Sequence, residues 1–578
     1  MKNKSVKKTR KERVFFAIYV ALLALCLVFA EVLLRFTGFG IDTRPFRKVN
    51  IDGVTYYRDN TYFINKYYPA SSIKIKTEEK NLFLAKKNPG SLRGFVLGGS
   101  TAQGYPYNSN QSFSAFLQRS LNDGINRLQN NTANSLQINA ANRLQVEIVN
   151  MGYSAMSSYY VADTAKKILK YEPDFLLIYS GHNEYYGTIG AMSGKSHKSR
   201  KIYLTLKEFR LFQLFDKLIN LRKVSSGANT LMDKQFAGAA YAQDEKKDAD
   251  AARNFIDNIN EVATLYGKKN IPVIIFEPVS NLFDMPPFAG KDDERFRELI
   301  EKSLAALEND YEKETEQCRK LAKNYQDNAN LAYLEAVYQV REGRDSYFQL
   351  VKAKDGDVIP FRTRSRLTSE LEKYCSASNN RSLFYIPTSK LMRDEGILPD
   401  NDFFSDHLHF SIEGNRWIAF QAAIVLRELF GLDRDKTFEI FKTDRENFYK
   451  QFPLSELDCY RVARSISLLV ENEPFKSMKI PYYPKFPVDN RNVVVQDAAF
   501  VRIVRDCIHE DFYLNACDYF LQTGKYIQAR EAALSFVKCF PANAEAHNFL
   551  SLSLAALGID EEAQREKNFA LSLSGKLY

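Results

Sequence analysis

A chain of 578 residues with 45% hydrophobic, 26% charged and 13% aromatic side chains has an ordinary globular composition, which excludes collagenous, wholly disordered and polytopic membrane proteins. The formal charge of +10 is concentrated at one end: residues 1–13 carry seven bases and one acid, Glu12, leaving 73 bases against 69 acids in the rest. A nucleic-acid footprint needs basic side chains clustered on one face, so a body this balanced predicts no nucleic-acid partner.

The first predicted element is apolar. Val14–Ala30 carries no charge, and the run through Leu34 supplies the roughly 20 residues that cross a hydrocarbon core. It is longer than the apolar core of a cleaved leader, and Val32-Leu33-Leu34-Arg35-Phe36 offers no small residues for a cut. Residues 1–13 are therefore expected as a cytoplasmic basic segment and 14–34 as an uncleaved transmembrane anchor. The positive-inside bias then puts the remaining chain outside. No second span of comparable length follows, which predicts a single-pass protein with a large extracytoplasmic body.

Residues 41–92 are Tyr-rich without a clear period and read as an irregular lead-in. From Gly94 onward, short apolar runs alternate with helical stretches. The runs are Gly94–Gly98, Val146–Asn150, Phe175–Tyr179, Pro272–Phe276 and Leu383–Ile386. That alternation predicts an α/β domain over 94–430, with a five-stranded parallel sheet covered on both faces. Insertions swell it at 122–144, at 190–255 and, as a helical piece, at about 291–380. A helical extension is expected at 431–472. A Pro-rich linker follows at 473–495, marked by Pro474, Pro481, Pro484 and Pro487. Over 508–578, Gly524/Gly558 and Ala529/Ala563 recur 34 residues apart. This resembles the tetratricopeptide repeat and implies stacked helical hairpins that bind a protein partner and are dispensable for chemistry.

The seven cysteines are scattered, odd in number and without CxxC spacing, so neither a disulfide scaffold nor a zinc site is expected. The chemistry lies instead at the strand ends. The first strand runs into Gly98-Gly99-Ser100, where two glycines allow a tight turn at the edge on which open α/β sheets bind ligands. No GxxxxGK[ST] or GxGxxG follows, which argues against a phosphate cradle. The second strand ends in Asn150-Met151-Gly152 and the third in Ser180-Gly181-His182-Asn183-Glu184. Beyond the last lies Ser405-Asp406-His407-Leu408-His409.

Ser, Gly, Asn and Asp-x-x-His in this order, each just past a candidate strand, resemble the SGNH hydrolases, or GDSL-type esterases, over about residues 94–425. The resemblance implies a flavodoxin-like three-layer α/β/α domain with no cofactor and no metal. It implies Ser100 as nucleophile, Asp406 and His409 as the rest of a triad, and oxyanion contacts from Ser100, Gly152 and Asn183. The sequence departs from the family pattern at three points: no Asp stands between Gly99 and Ser100, Thr101 replaces the common leucine, and Glu184 stands where Asp is frequent.

Elementary chemistry supports these roles. A serine hydroxyl is a weak nucleophile until a base takes its proton, and an imidazole ordinarily titrates near neutrality. A carboxylate beside it holds the tautomer and stabilises the imidazolium. Amide donors stabilise a developing oxyanion. His407 is a second candidate base, but the spacing to Asp406 favours His409. His182 is expected as a pocket-wall or structural histidine, not a ligand, and His197, His509 and His547 on the surface. Loops after the fourth strand and after the helical insertion are expected to border the site. Asn281, Asp284 and Arg362 are their candidate substrate contacts, Arg362 as a bidentate clamp on an anion. The expected activity is that of a serine esterase or acyl transferase acting on an acyl or acetyl ester of envelope carbohydrate or lipid. The alternative is a non-catalytic helical-repeat scaffold whose hydrolase-like domain binds ligand without turnover.

Overall fold

The computed structural model describes residues 10–51, 53–68, 76–130, 145–190, 196–220, 245–308, 316–317, 319–320, 323–325, 327–443, 455–486, 497–505, 507 and 509–574. Most of the basic segment 1–13, the end of the 122–144 insertion and residues 487–495 of the Pro-rich segment lie outside them. The chain divides into two compact units. One comprises Met1–Arg44, Asn60–Thr77 and Lys195–Ser226, the other Pro45–Asp59, Glu78–Gly194 and Gly227–Tyr578.

Five parallel strands organise the larger unit: β4 (Leu92–Gly98), β5 (Val146–Gly152), β6 (Phe175–Tyr179), β7 (Val273–Phe276) and β8 (Leu383–Ile386). Their order is β5-β4-β6-β7-β8, the 2-1-3-4-5 arrangement of doubly wound sheets. The register keeps Val96, Leu177 and Ile274 side by side. These residues pack with Phe113, Phe116 and Leu117 of α3 (Phe113–Asn130) and with Ile418 and Ala422 of α12 (Ile412–Phe430). Their neighbours Phe95, Leu97, Leu176, Ile178 and Ile275 are equally buried and face the other way. There α4 (Ser158–Ile168), α7 (Glu245–Gly267) and α11 (Ser365–Ala377) lie against the strands. Burial on both faces is why the strands read as continuous apolar runs instead of alternating ones. The chain leaves β4 for β5 on one side and returns to β6 on the other. The switch point therefore falls between the ends of β4 and β6, where such sheets bind ligands.

The lead-in is not irregular within this unit. β1 (Phe46–Ile51), β2 (Val54–Asp59) and β3 (Leu82–Leu84) form an antiparallel sheet. No period of two is visible because consecutive Tyr56 and Tyr57 are both half-buried. Edge-to-face contacts of Phe46 with Phe83 (4.9 Å) and of Tyr57 with Tyr171 (4.8 Å) hold the sheet. The helical insertion contains α8 (Asp293–Glu308), α9 (Ala329–Arg341) and α10 (Tyr347–Asp355), with a core of Ile300, Leu331, Leu334 and Leu350.

At the C-terminal end, α13 (Glu456–Val470) opens with a reciprocal Ser455–Asp458 capping box. Four consecutive helices follow: α14 (His509–Gln522), α15 (Tyr526–Cys539), α16 (Ala544–Ala556) and α17 (Asp560–Ser574). Gly524 and Gly558 end α14 and α16 at φ +72° and +74°, a left-handed conformation glycine adopts without strain. Buried Ala529 and Ala563 let the helices approach closely.

The Pro-rich segment is not a linker over its described residues 473–486. Phe475 and Tyr482 are buried with Phe288 and Phe361, and Ile480 enters the core of the helical insertion. The prolines break the helical period without preventing the apolar residues between them from burying. Nor is the tail set apart from the α/β sheet domain. Ser109 Oγ donates to the Cys539 carbonyl (2.9 Å), Arg461 to that of Pro106 (3.0 Å), and Asn108 to the Tyr513 hydroxyl (2.5 Å).

In the smaller unit α1 (Arg10–Phe36) is long and apolar enough to cross a bilayer, and none of its apolar window is buried. Two short helices, α5 (His197–Leu206) and α6 (Arg210–Asn220), form a hairpin beside it.

Candidate active site

β4 runs through Gly98-Gly99 into the single turn α2 (Ser100–Gln103). A Cβ on Gly99 would lie 2.5 Å from Asn183 Nδ2, and one on Gly152 would lie 2.2 Å from the Gln103 nitrogen. At Gly152 the clash would be with backbone, so glycine is needed there for the strand end to close on α2; at Gly99 it leaves room for the Asn183 amide.

Ser100 Oγ lies 2.6 Å from His409 Nε2, and His409 Nδ1 lies 2.6 Å from Asp406 Oδ2. The local sequence dictates the second contact. Asp406 Oδ1 accepts the backbone N–H groups of Leu408 (3.0 Å) and His409 (2.9 Å), an Asx-type turn that aims Oδ2 at the ring three residues on. With Nδ1–H donating to Asp406, Nε2 is left to accept the Ser100 hydroxyl proton. Burial opposes the Asp406 charge, but His409 and then His407 hold its carboxyl well below the usual carboxylate range.

His409 also packs edge-on against Tyr105, 4.6 Å between centroids, and the Tyr105 hydroxyl donates to the Ser465 carbonyl in α13. The other two histidines nearby, His407 and His182, are buried. His407 packs against Phe475 (5.4 Å) and Phe288 (5.6 Å), and burial lowers its pKa. Its Nδ1 comes within 3.1 Å of Asp406 but makes no hydrogen bond. His182 Nδ1 accepts the Thr363 N–H at 3.3 Å. Burial, reinforced by His407 and His409, keeps its pKa well below that of a free imidazole. Asp406, His407 and His409 offer ligand atoms within 4.8 Å of one another, a spacing that could hold a metal ion, although the bonds to Ser100 and Asp406 already engage both His409 nitrogens.

The predicted oxyanion contacts divide. Asn183 Nδ2 lies beside the Gly99 turn, and the Ser100 N–H has no partner among the described residues. Gly152 does not serve: its N–H donates to Asn150 Oδ1 at 2.8 Å, and its carbonyl accepts from Lys80 Nζ at 2.5 Å. Its role is to admit α2. Three residues on, Ala155 holds φ +64°, and its N–H has no partner among the described residues. Nothing in the sequence marks an alanine as left-handed, so this donor was not foreseen. Lys80 was missed as well. It is buried, with Nζ 4.2 Å from the Tyr153 ring centroid, and burial lowers its pKa to about 8.

Of the three expected substrate contacts, Asn281 and Asp284 brace the segment leading into the histidine loop, and Arg362 braces the 281–286 loop. Asn281 is fully buried; its N–H donates to the His407 carbonyl (3.0 Å) and its amide to Asn401 (2.9 Å). Asp284 accepts the Asn401 N–H at 2.8 Å. Arg362 is buried and donates to the carbonyls of Asn281 (2.9 Å), Met285 (2.8 Å) and Pro286 (3.2 Å), so its fork is not open to a ligand anion. Two departures from the family pattern have local employment. Glu184 reaches the N–H and hydroxyl of Ser158 at the start of α4 (2.7 and 2.8 Å), and Thr101 Oγ1 meets the Leu408 carbonyl at 3.5 Å.

No protein-family model and no curated protein matches the chain. Among solved structures, that of TesA is similar over 49% of this chain and 97% of TesA, at 11% identity and a TM-score of 0.17. A superposition this poor carries no weight for fold or chemistry.

Proposed function

We propose that this protein is a membrane-anchored serine hydrolase of the SGNH type that cleaves or transfers an acyl or acetyl ester. The observation that carries the reading is the unbroken chain from Ser100 Oγ through His409 to Asp406, each link 2.6 Å. His409 Nε2 takes the hydroxyl proton as Ser100 Oγ bonds to the ester carbon, and Asp406 stabilises the imidazolium. The negative charge on the carbonyl oxygen falls to Asn183 Nδ2 and the N–H groups of Ser100 and Ala155. His409 then protonates the leaving alkoxide, giving an alcohol and an acyl-serine. Water, or an acceptor hydroxyl, attacks the acyl-serine by the same route in reverse and frees Ser100.

With α1 in the membrane and the basic residues before it on the cytoplasmic side, the body is extracytoplasmic. Envelope carbohydrate or lipid esters are then the accessible substrates, and the C-terminal helices are a surface for a protein partner. A fluorophosphonate probe tests the assignment. The wild-type chain should be labelled at one serine and Ser100→Ala should not. Equal labelling of the variant would overturn the nucleophile, and an unlabelled, folded wild type would favour the ligand-binding scaffold.

A further inference from the structure

The hairpin of α5 and α6 is built inside-out for a helix pair in water. In α6 the polar side chains Gln213 and Asp216 are buried, whereas Phe215, Leu218 and Ile219 are 53%, 55% and 76% exposed. In α5 and the turn after it, Arg200 and Lys207 are buried beside Leu204, while Ile202, Leu206 and Phe209 are exposed. A helix pair at an aqueous surface does the reverse.

Asp216, Gln213, Lys207 and Lys66 find their partners within this unit. Asp216 accepts from Lys207 Nζ (2.5 Å) and from the Tyr203 hydroxyl (2.9 Å). Gln213 bonds the backbone of Ile41 in both directions and donates to the Lys207 carbonyl (2.7 Å). Lys66 pairs with Glu208. The inversion is therefore a built feature, with six large apolar side chains left on the outside.

The occupant of that face follows from where the hairpin starts. Glu31, at the end of the apolar span of α1, accepts the Arg210 and Leu211 N–H groups that open α6, both at 2.9 Å. Arg35 donates to the Glu208 carbonyl in the turn between the helices (3.2 Å). The hairpin is thus tied to α1 at the end of its apolar run, and both leave large apolar side chains exposed. Exposed Lys198 and Lys217 on the same helices suit anionic headgroups.

We infer that α5 and α6 form an interfacial membrane contact, their Ile202, Leu206, Phe209, Phe215, Leu218 and Ile219 side chains seated in the headgroup region of the bilayer that α1 spans. The inference rests on α1 being in a membrane, and the test separates the two claims.

Trp417 is the sole tryptophan. Full-length Trp417→Phe protein carrying one new tryptophan, Leu218→Trp or Leu25→Trp, would be reconstituted into phosphatidylcholine–phosphatidylglycerol vesicles brominated either near the headgroup or deep in the chains. Leu25→Trp should be quenched most by the deep bromines. Leu218→Trp should lose about half its emission or more to the shallow ones, the depth at which interfacial helices lie. Phe215→Trp gives a second reporter should Leu218→Trp fold poorly. If residue 25 is quenched but residue 218 is instead open to aqueous acrylamide, the hairpin is in water and the inference fails alone. If residue 218 is shielded from both quenchers, a protein surface or second copy covers it, and the inference likewise fails. If residue 25 is not quenched, the membrane reading falls and the hairpin contact with it.

Discussion

The loop carrying Asp406 and His409 and the hairpin carrying Lys207 and Asp216 both bury charge, with opposite consequences. In the hairpin the pair closes on itself: Asp216 is held by Lys207 and Tyr203, and its neighbours engage backbone groups. In the loop the line of bonds runs outward. Asp406 is saturated by two backbone N–H groups and His409, but His409 hands its second nitrogen to Ser100, which is only half-buried. A closed buried pair supplies structure; a buried carboxylate at the head of a line with one accessible end is what the proposed nucleophile requires.

The sharpest way to break this contrast is at the end of the line. Ser100→Ala should lower turnover of an activated small ester by about 10⁴–10⁶-fold with an unchanged melting temperature. Activity within twofold of wild type would remove Ser100 from the chemistry. Asp406→Asn, which leaves His409 without its anion, should lose about 10⁴-fold.

Asn183→Ala should cost about 10²–10³ in turnover, with a smaller change in apparent substrate affinity, because the amide acts on charge that develops only as the bond forms. Gly152→Ala should behave differently. Its Cβ would meet the Gln103 nitrogen at 2.2 Å, so the expected result is a lowered melting temperature.

For the closed pair, Asp216→Ala should destabilise the folded protein by about 3 kcal/mol, since Lys207 remains buried without its partner. Turnover per folded molecule should not change. A loss of turnover without loss of stability would show the two regions to be functionally joined.

The smallest expected effect is on pH dependence. His182 has its folded pKa depressed by burial, so its contribution to stability is present above the unfolded value of about 6.5 and lost as pH falls toward the folded value. Urea melts should show stability declining below pH 6.5, by up to about 1.4 kcal/mol per unit for this group. His182→Gln should flatten that decline. An equal decline in the variant would assign it to other groups, His407 foremost, whose pKa burial also lowers.

Much of the site was legible because its signals are local. An apolar run ending in Gly-Gly-Ser places a serine at a strand end, and Asp-x-x-His closes its own turn through Asp406 Oδ1. Where the structure departs from the motif, the deciding contact comes from a side chain whose direction only the fold sets, whether two residues away or many. Gly152 matches the motif, but Asn150 has taken its N–H and Lys80, 72 residues earlier, its carbonyl. Arg362 looks like an anion clamp until the 281–286 loop folds over it.

The sequence by itself determined the five strands, their order along the chain, the apolar N-terminal span and the glycine turns of the C-terminal helices, because periodicity, run length and left-handed turns are properties of neighbouring residues. Tertiary structure alone decided that the lead-in pairs into a sheet, that the Pro-rich segment buries Phe475 and Tyr482, that Ala155 offers a donor, and that α6 turns its apolar face outward. An amphipathic helix has the same sequence pattern whichever face is covered. Only the positions of Ile41, Lys207 and Tyr203 around Gln213 and Asp216 make the polar face the inner one.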